Sequence, residues 1–552
     1  MLKLIHTTDI HGTFFPYDFI HGRETTGSLC RVHSYVKMLS AKYGRNIILL
    51  DSGDIIQGQP TCSYSPDLTI HDADVAADVY NYMHYDAVTI GNHDVETGHG
   101  VYDAWRTRMR CPVLAANIID CATRKPYFQP YTIIEREGVR IGVLGMTTQA
   151  VGCWIDESLW QGMRFEDVEQ SARRWIRHIK EKENPHIIVG LFHTGWDGGI
   201  HNDDACENAT KEVAHNVDGF DIILFGHDHK CHAETVTNRE GRRVLCLNPS
   251  SDGNCVSEVD IHITGDPSQP ENIRIEGRIE NVAYKQHDFS FMQRFANDQK
   301  HAKAFADKEI GTLDNSMHTR DCFFGPAPFS DFIHRLQLRT TGADISFTAP
   351  LVYDEHLPKG TVRIRDLFNL YRYENQVCSL RMTGREIKNY LEYSYDLWIR
   401  QMASPQSRMM CTQQYIHMGK ASTFFTNLTF NFDSAAGISY TIDVTRRRGE
   451  RICISRLADG RRFLYDAIYS VAMHSYRAHG GTEFLTVGAG IPHGELSSRL
   501  IFSSPHGQRF YMMQLISEGN ILQTTPLAHW RFIPEEWTAT ALERERKIIF
   551  RE

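Results

Sequence analysis

The chain of 552 residues has no C-x-x-C pair, no apolar run approaching a membrane span, no internal repeat and no low-complexity linker. Each absence narrows the class. The 13 cysteines are scattered and odd in number, so they read as reduced buried thiols with at most a few incidental disulfides, not as a framework. Without about 18 consecutive apolar residues, a helical membrane span is not expected. Positive charge is not in excess either: 59 Lys and Arg stand against 68 Asp and Glu, a net charge of −9. Such a chain is not expected to bind duplex nucleic acid through its backbone. The opening residues MLKLIHTTDIHG run straight into a strand with no charged stretch and apolar core before it, so no export signal is expected in the chain as it stands.

What is present is the balance of a globular protein, 41% hydrophobic and 23% charged residues. The length is too great for one core, and two domains are expected. Leu2–His6, Ile47–Leu50, Ala87–Ile90, Val139–Met146, Ile187–Phe192 and Asp221–Phe225 read as short buried strands. Ser28–Tyr43, Val75–Tyr82 and Asp167–Lys182 carry helical periodicity between them. This rhythm predicts a layered α/β domain over residues 1–282, with helices outside. Phe289–Ala306 reads as a connecting helix within 283–319, and a second α/β domain is expected over 320–552. The Arg-rich stretch Thr445–Arg462 reads as a solvated hairpin.

Five segments share one feature, an apolar strand running into metal-ligating residue types. They are IHTTDIHG with Asp9 and His11, LLDSGD with Asp54, TIGNHD with Asn92 and His93, GLFHTG with His193, and FGHDH with His227 and His229. Open α/β sheets place ligands beyond the carboxyl ends of their strands, so all five are expected at one edge. Gly53, Gly91 and Gly226 stand where a tight turn brings backbone close to an ion. Two divalent ions about 3.5–4 Å apart clamp a phosphoryl group and acidify a bridging water. Asp9, His11, Asp54 and His229 are assigned to one ion, and Asp54, Asn92, His193 and His227 to the other. Asp and His ligands with an amide suit Mn²⁺, Zn²⁺ or similar ions. With 28 histidines, a lone one is ordinarily a surface or satisfied core residue; His84, His99 and His215 are read that way. Five motifs in this order, each after a strand, are another matter.

In that order the motifs resemble the calcineurin-like metallophosphoesterases, and with the second domain their 5′-nucleotidase branch. The resemblance implies an N-terminal αββα domain and a nucleotide-binding C-terminal α/β domain. It implies that His93 is not a ligand but acts on the reacting group, paired with an acidic residue three positions on; here that is Glu96, where the family often has aspartate. It also implies a base sandwiched between two aromatics: Tyr373 with Asn375 beside it, and Tyr476 ahead of Gly480 and Gly481. Such stacking is worth roughly 1–3 kcal/mol per base and tolerates base identity.

One departure bears on substrate. Family 5′-nucleotidases carry an Asn-Gly-Gly-Gly-Ile-Arg run after the strand matching Asp344–Thr348, whereas here Ala349, Pro350 and Leu351 follow. Thr482 also replaces an aspartate after Gly-Gly. These features resemble the 2′,3′-cyclic-nucleotide 2′-phosphodiesterases with 3′-nucleotidase activity. The alternatives are a 5′-nucleotidase or UDP-sugar hydrolase, and an inactive nucleotide-binding protein. A monomer or homodimer is expected; the family is usually periplasmic or exported.

Overall fold

Alternation of inward and outward side chains builds two six-stranded sheets in the unit Met1–Ala306. Their strands are β1 (Leu2–Thr7), β2 (Ile47–Asp51), β3 (Ala87–Thr89), β4 (Val113–Leu114), β5 (Tyr131–Arg136), β6 (Val139–Thr147), β7 (Ile187–His193), β8 (Ile222–Phe225), β9 (Cys231–Thr237), β10 (Arg243–Pro249), β11 (Cys255–Ile263) and β12 (Ile273–Asn281). One sheet runs β12-β11-β1-β2-β3-β4, with β1 to β4 parallel and β11 and β12 antiparallel. The other runs β9-β10-β8-β7-β6-β5, with β6, β7, β8 and β10 parallel and an antiparallel strand at each edge. The computed structural model describes residues 1–62, 74–201, 205–372, 374–417, 420–519, 521–522 and 527–551.

The layers follow from which parity each strand buries where. In β7, Ile187, Val189 and Leu191 share a core with Leu2, Leu4, Ile48 and Leu50 of the facing sheet. Ile188 and Phe192, on the opposite parity, pack with Val168, Ala172 and Ile176 of the outer helix Val168–Glu183. Each such side chain, fully buried, stabilises by about 1.5–3 kcal/mol. The helix Leu29–Tyr43 lies against β1 and β2 on the other outer face, started by Ser28, whose hydroxyl accepts the Arg31 N–H. The stretch 289–306, expected as one helix, forms two, Phe289–Arg294 and Ala296–Ala306. The rings of Phe291 and Phe295 pack against Tyr82.

In the second unit, Asp307–Glu552, a five-stranded sheet joins β13 (Ile345–Thr348), β14 (Gln376–Thr383), β15 (Ser434–Ala436), β16 (Ile468–His474) and β17 (Leu500–Gly507) in the order β15-β13-β16-β14-β17. The helix Gly384–Trp398 starts with a capping box, in which Thr383 and Glu386 each accept the other's backbone N–H. The Arg-rich stretch forms the expected hairpin between Ile438–Asp443 and Ile452–Leu457, although Arg451 is buried and paired with Asp396. No helix among the described residues is long and apolar enough to cross a membrane.

Candidate active site

Sequence spacing leads to one sheet edge, but the motif segments leave two. Those after β1, β2 and β3 leave the first sheet and those after β7 and β8 leave the second, so their side chains meet between the sheets. Pairing that outlasts the strands holds the loops in register: Asp9 N–H donates to Gly53 O and His11 N–H to Asp54 O, both at 2.9 Å. Five of the motif residues, Asp9, His11, Asp54, His227 and His229, have φ between 48° and 82°. L side chains seldom enter that region, and a cluster of them marks backbone bent for function at about 1–3 kcal/mol each. Two glycines permit close approach. A Cβ at Gly91 would lie 2.1 Å from Asp54 Oδ1, and one at Gly226 would lie 1.9 Å from Thr8 Oγ1.

Asp9, His11, Asp54 and His229 bring one ligand atom each to within 4.8 Å of one another. His11 Nε2 and His229 Nε2 are 3.1 Å apart, and His229 Nε2 is 3.2 Å from Asp9 Oδ1. His193 continues the inward parity of β7 and places Nε2 3.0 Å from Asn92 Oδ1 and 3.2 Å from Asp54 Oδ2. The ring of His227 is 5.3 Å from that of His193.

The donor set fits divalent cations. His11 Nδ1 is 3.0 Å from Gln57 O and His193 Nδ1 is 2.7 Å from Ser52 O. A carbonyl only accepts, so both Nδ1 atoms carry the hydrogen and both Nε2 atoms turn lone pairs inward. Asp54 Oδ2 is buried among them with no hydrogen-bond donor placed on it among the described residues. Oxygen and nitrogen lone pairs facing one another at these distances are satisfied by positive charge. The electrostatics agree. Burial alone would raise the Asp54 carboxyl, but His193 and His93 outweigh it and hold the group well below the usual range. Burial likewise disfavours charge on His193, but Asp54 outweighs it and lifts the imidazole to about 9, so Nε2 takes up positive charge readily, as a proton in the metal-free protein or as a metal ion in its place.

His93 lies beside these groups, its ring 5.4 Å from that of His11, with different partners. Its backbone N–H donates to Asp54 Oδ1 at 2.9 Å, while Nδ1 meets Glu96 Oε2 at 2.7 Å. The longer acid therefore reaches its partner. Two supporting residues were not read from the sequence. Asp94 is buried and accepts four backbone N–H groups, those of Asp54, Ile55, Ile56 and Gly91, at 2.7–3.0 Å. Burial, and then Asp54, push its carboxyl up to about 6. Glu207 lies 3.2 Å from His227 Nε2. The D of GNHD was available as a signal for Asp94; no motif marked Glu207. His99 is satisfied by Asp103 and the Gln161 carbonyl, as an ordinary surface histidine would be.

In the second unit, Tyr373 lies outside the described residues. Asn375 is buried, its carbonyl accepting the Gln508 N–H at 2.7 Å. Tyr476 sits on the short helix Ser475–Ala478, its ring nearly parallel to that of His474 at 6.2 Å. Gly480 has φ 91°, and a Cβ at Gly481 would lie 2.7 Å from the Tyr476 ring, so the Gly-Gly turn is the bed of that ring. Thr482 accepts from Arg477, whose guanidinium is buried, paired with Asp433 and laid over Phe484 at 4.0 Å.

Comparison with known proteins places both units. The family model Calcineurin-like phosphoesterase matches residues 2–231, and the family model 5′-nucleotidase, C-terminal domain, matches residues 309–488. The 2′,3′-cyclic-nucleotide 2′-phosphodiesterase/3′-nucleotidase of Yersinia enterocolitica is 24% identical over 96% of this chain and 88% of its own length. The protein of the same name from Salmonella typhimurium is 25% identical over 92% of this chain and 84% of its own. Among solved structures, a candidate 5′-nucleotidase from Staphylococcus aureus superposes with a TM-score of 0.74 at 22% identity, over 96% of this chain and 99% of that one. The chain belongs to the calcineurin-like phosphoesterases that carry a 5′-nucleotidase C-terminal domain.

Proposed function

We propose that the chain hydrolyses nucleotide phosphate esters with two divalent metal ions, and that 2′,3′-cyclic nucleotides and 3′-nucleotides are its preferred substrates. The observation that carries the proposal is the position of Asp54. Its Oδ2 lies 3.9 Å from His11 Nε2 on one side and 3.2 Å from His193 Nε2 on the other. A carboxylate so placed serves two ligand sets: Asp9, His11 and His229 with it, and Asn92, His193 and His227 with it. Divalent ions held there would supply Lewis-acid polarisation of a phosphoryl oxygen and a nucleophile from water at neutral pH.

The protein side chains do the rest. Asn92 is a neutral ligand and leaves the site net positive for an anionic ester. Glu96 accepts a hydrogen bond from His93 Nδ1, which fixes the ring and leaves Nε2 for the reacting group. In the second unit, Tyr373 and Tyr476 take the two faces of the base and Asn375 its polar edge. Stacking accepts any base, so discrimination falls to the position of the phosphate on the ribose. The relatives from Yersinia enterocolitica and Salmonella typhimurium bear names for the cyclic and 3′ activities. The absence of an arginine after Thr348 supports the same choice.

The test is a hydrolysis panel with added Mn²⁺. Turnover of 2′,3′-cyclic AMP and 3′-AMP should exceed that of 5′-AMP and a UDP-sugar. Far better turnover of 5′-AMP or the UDP-sugar would reverse the substrate assignment and leave the metal chemistry standing.

A further inference from the structure

Glu207 ties together three segments around His227. Its Oε1 is 3.2 Å from His227 Nε2, and its Oε2 accepts the Ile200 N–H at 2.8 Å. Its carbonyl accepts hydroxyl hydrogens from Thr148 at 2.8 Å and from Thr194, the residue after His193, at 2.7 Å. An ionised carboxylate has no hydrogen to give, so the one in the contact belongs to His227 Nε2 and the lone pair to Nδ1. The Trp154 ring lies nearly parallel to the His227 imidazole, with planes 10° apart. The Glu207 contact thus restrains both rotation and tautomer, with the Trp154 ring centroid 6.2 Å away. His11 and His193 are restrained by backbone carbonyls and turn Nε2 inward; His227 is held by a charged side chain at Nε2 and is left with Nδ1.

We propose that Glu207 is a positioning residue of the metal centre, fixing His227 in the tautomer that offers Nδ1 as a ligand and making that nitrogen a stronger donor. This rests on His227 being a metal ligand, as proposed above. Carboxylate partners of this kind commonly change metal affinity by about 10–100-fold.

The experiment is calorimetric titration of the full chain, stripped of metal, with Mn²⁺. Glu207→Ala should weaken one of the two ions by about 10–100-fold and leave the other at its wild-type affinity. Glu207→Gln keeps an oxygen that accepts the Nε2 hydrogen and should stay within about tenfold of wild type. Should the alanine variant fail to fold, Glu207→Asp, which draws the carboxylate back by one methylene, should weaken the same ion. A residue that only anchors the loop would lower the melting temperature of the metal-free protein without changing either affinity, and that result overturns the proposal. His227→Ala separates the two claims. Loss of one ion in His227→Ala with wild-type binding in Glu207→Ala overturns the role of Glu207 alone, whereas two unaltered ions in His227→Ala overturn the ligand assignment beneath it.

Discussion

His93 follows Asn92 on the short helix Asn92–Val95, yet the two neighbours face different tasks. Asn92 turns its oxygen to His193 Nε2, while His93 is turned to Glu96. His93→Ala should therefore lower kcat by about 10²–10⁴-fold with metal content unchanged, measured by elemental analysis beside steady-state kinetics. Loss of an ion would make His93 a ligand instead. Asp94 supports the opposite expectation. Its replacement by alanine strips four buried backbone N–H groups of their acceptor. At about 1–3 kcal/mol for a group left unsatisfied, Asp94→Ala should lose several kcal/mol of stability and bind metal poorly, as chemical denaturation would report. The candidate ligands were legible because each stands in a short motif directly after an apolar strand. Glu207 was not, because it sits in a loop with no periodic pattern, and only the fold brings it to His227.

At the scale of elements, strand positions followed closely from apolar runs, and β7, Ile187–His193, lies within one residue of its expected bounds, Ile187–Phe192. Sheet membership did not follow. β2 and β7 are both short apolar runs ending in polar residues, and nothing local says that they belong to facing sheets. Pairing of that kind is set by contacts far apart in sequence, and so β5, β9, β10 and β17 also escaped the pattern. The Gly-Gly turn after the helix Ser475–Ala478 gives an element-scale prediction. Gly481→Ala sets a methyl group 2.4 Å from the Tyr476 carbonyl oxygen and 2.7 Å from its ring, so the residue carrying the ring must shift. Both Gly481→Ala and Tyr476→Ala should raise KM for nucleotides while sparing p-nitrophenyl phosphate, which has no base to stack. Equal losses on both substrates would assign the turn a structural part only.

The whole molecule carries buried histidines that do no chemistry in this account, and they give its stability a pH dependence. In the second unit, burial holds His474 down to about 3, and burial and then His529 hold His334 well below its ordinary value. His334 is paired on both sides with serine hydroxyls, from Ser346 and Ser434. Unfolded, each histidine takes up a proton below about pH 6.5; folded, each stays neutral to much lower pH. The unfolded state thus binds more protons across that window, so stability is full above pH 6.5 and is lost as the pH falls through it. By pH 5 His474 costs about 2 kcal/mol, and His334 adds in the same direction. Hydrogen exchange in β13 and β16 should accordingly be faster at pH 5 than at pH 7.5, after correction for intrinsic rates; equal protection would show that these groups titrate normally.

The claim on which everything else stands is that Asp54 serves two ions at once. Metal content and 2′,3′-cyclic AMP hydrolysis measured side by side for wild type and Asp54→Asn test it directly. The wild type should hold two ions per chain and show metal-dependent turnover, with both ions weakened and nearly all activity gone in the variant. An Asp54→Asn protein that kept two ions and full turnover would contradict it.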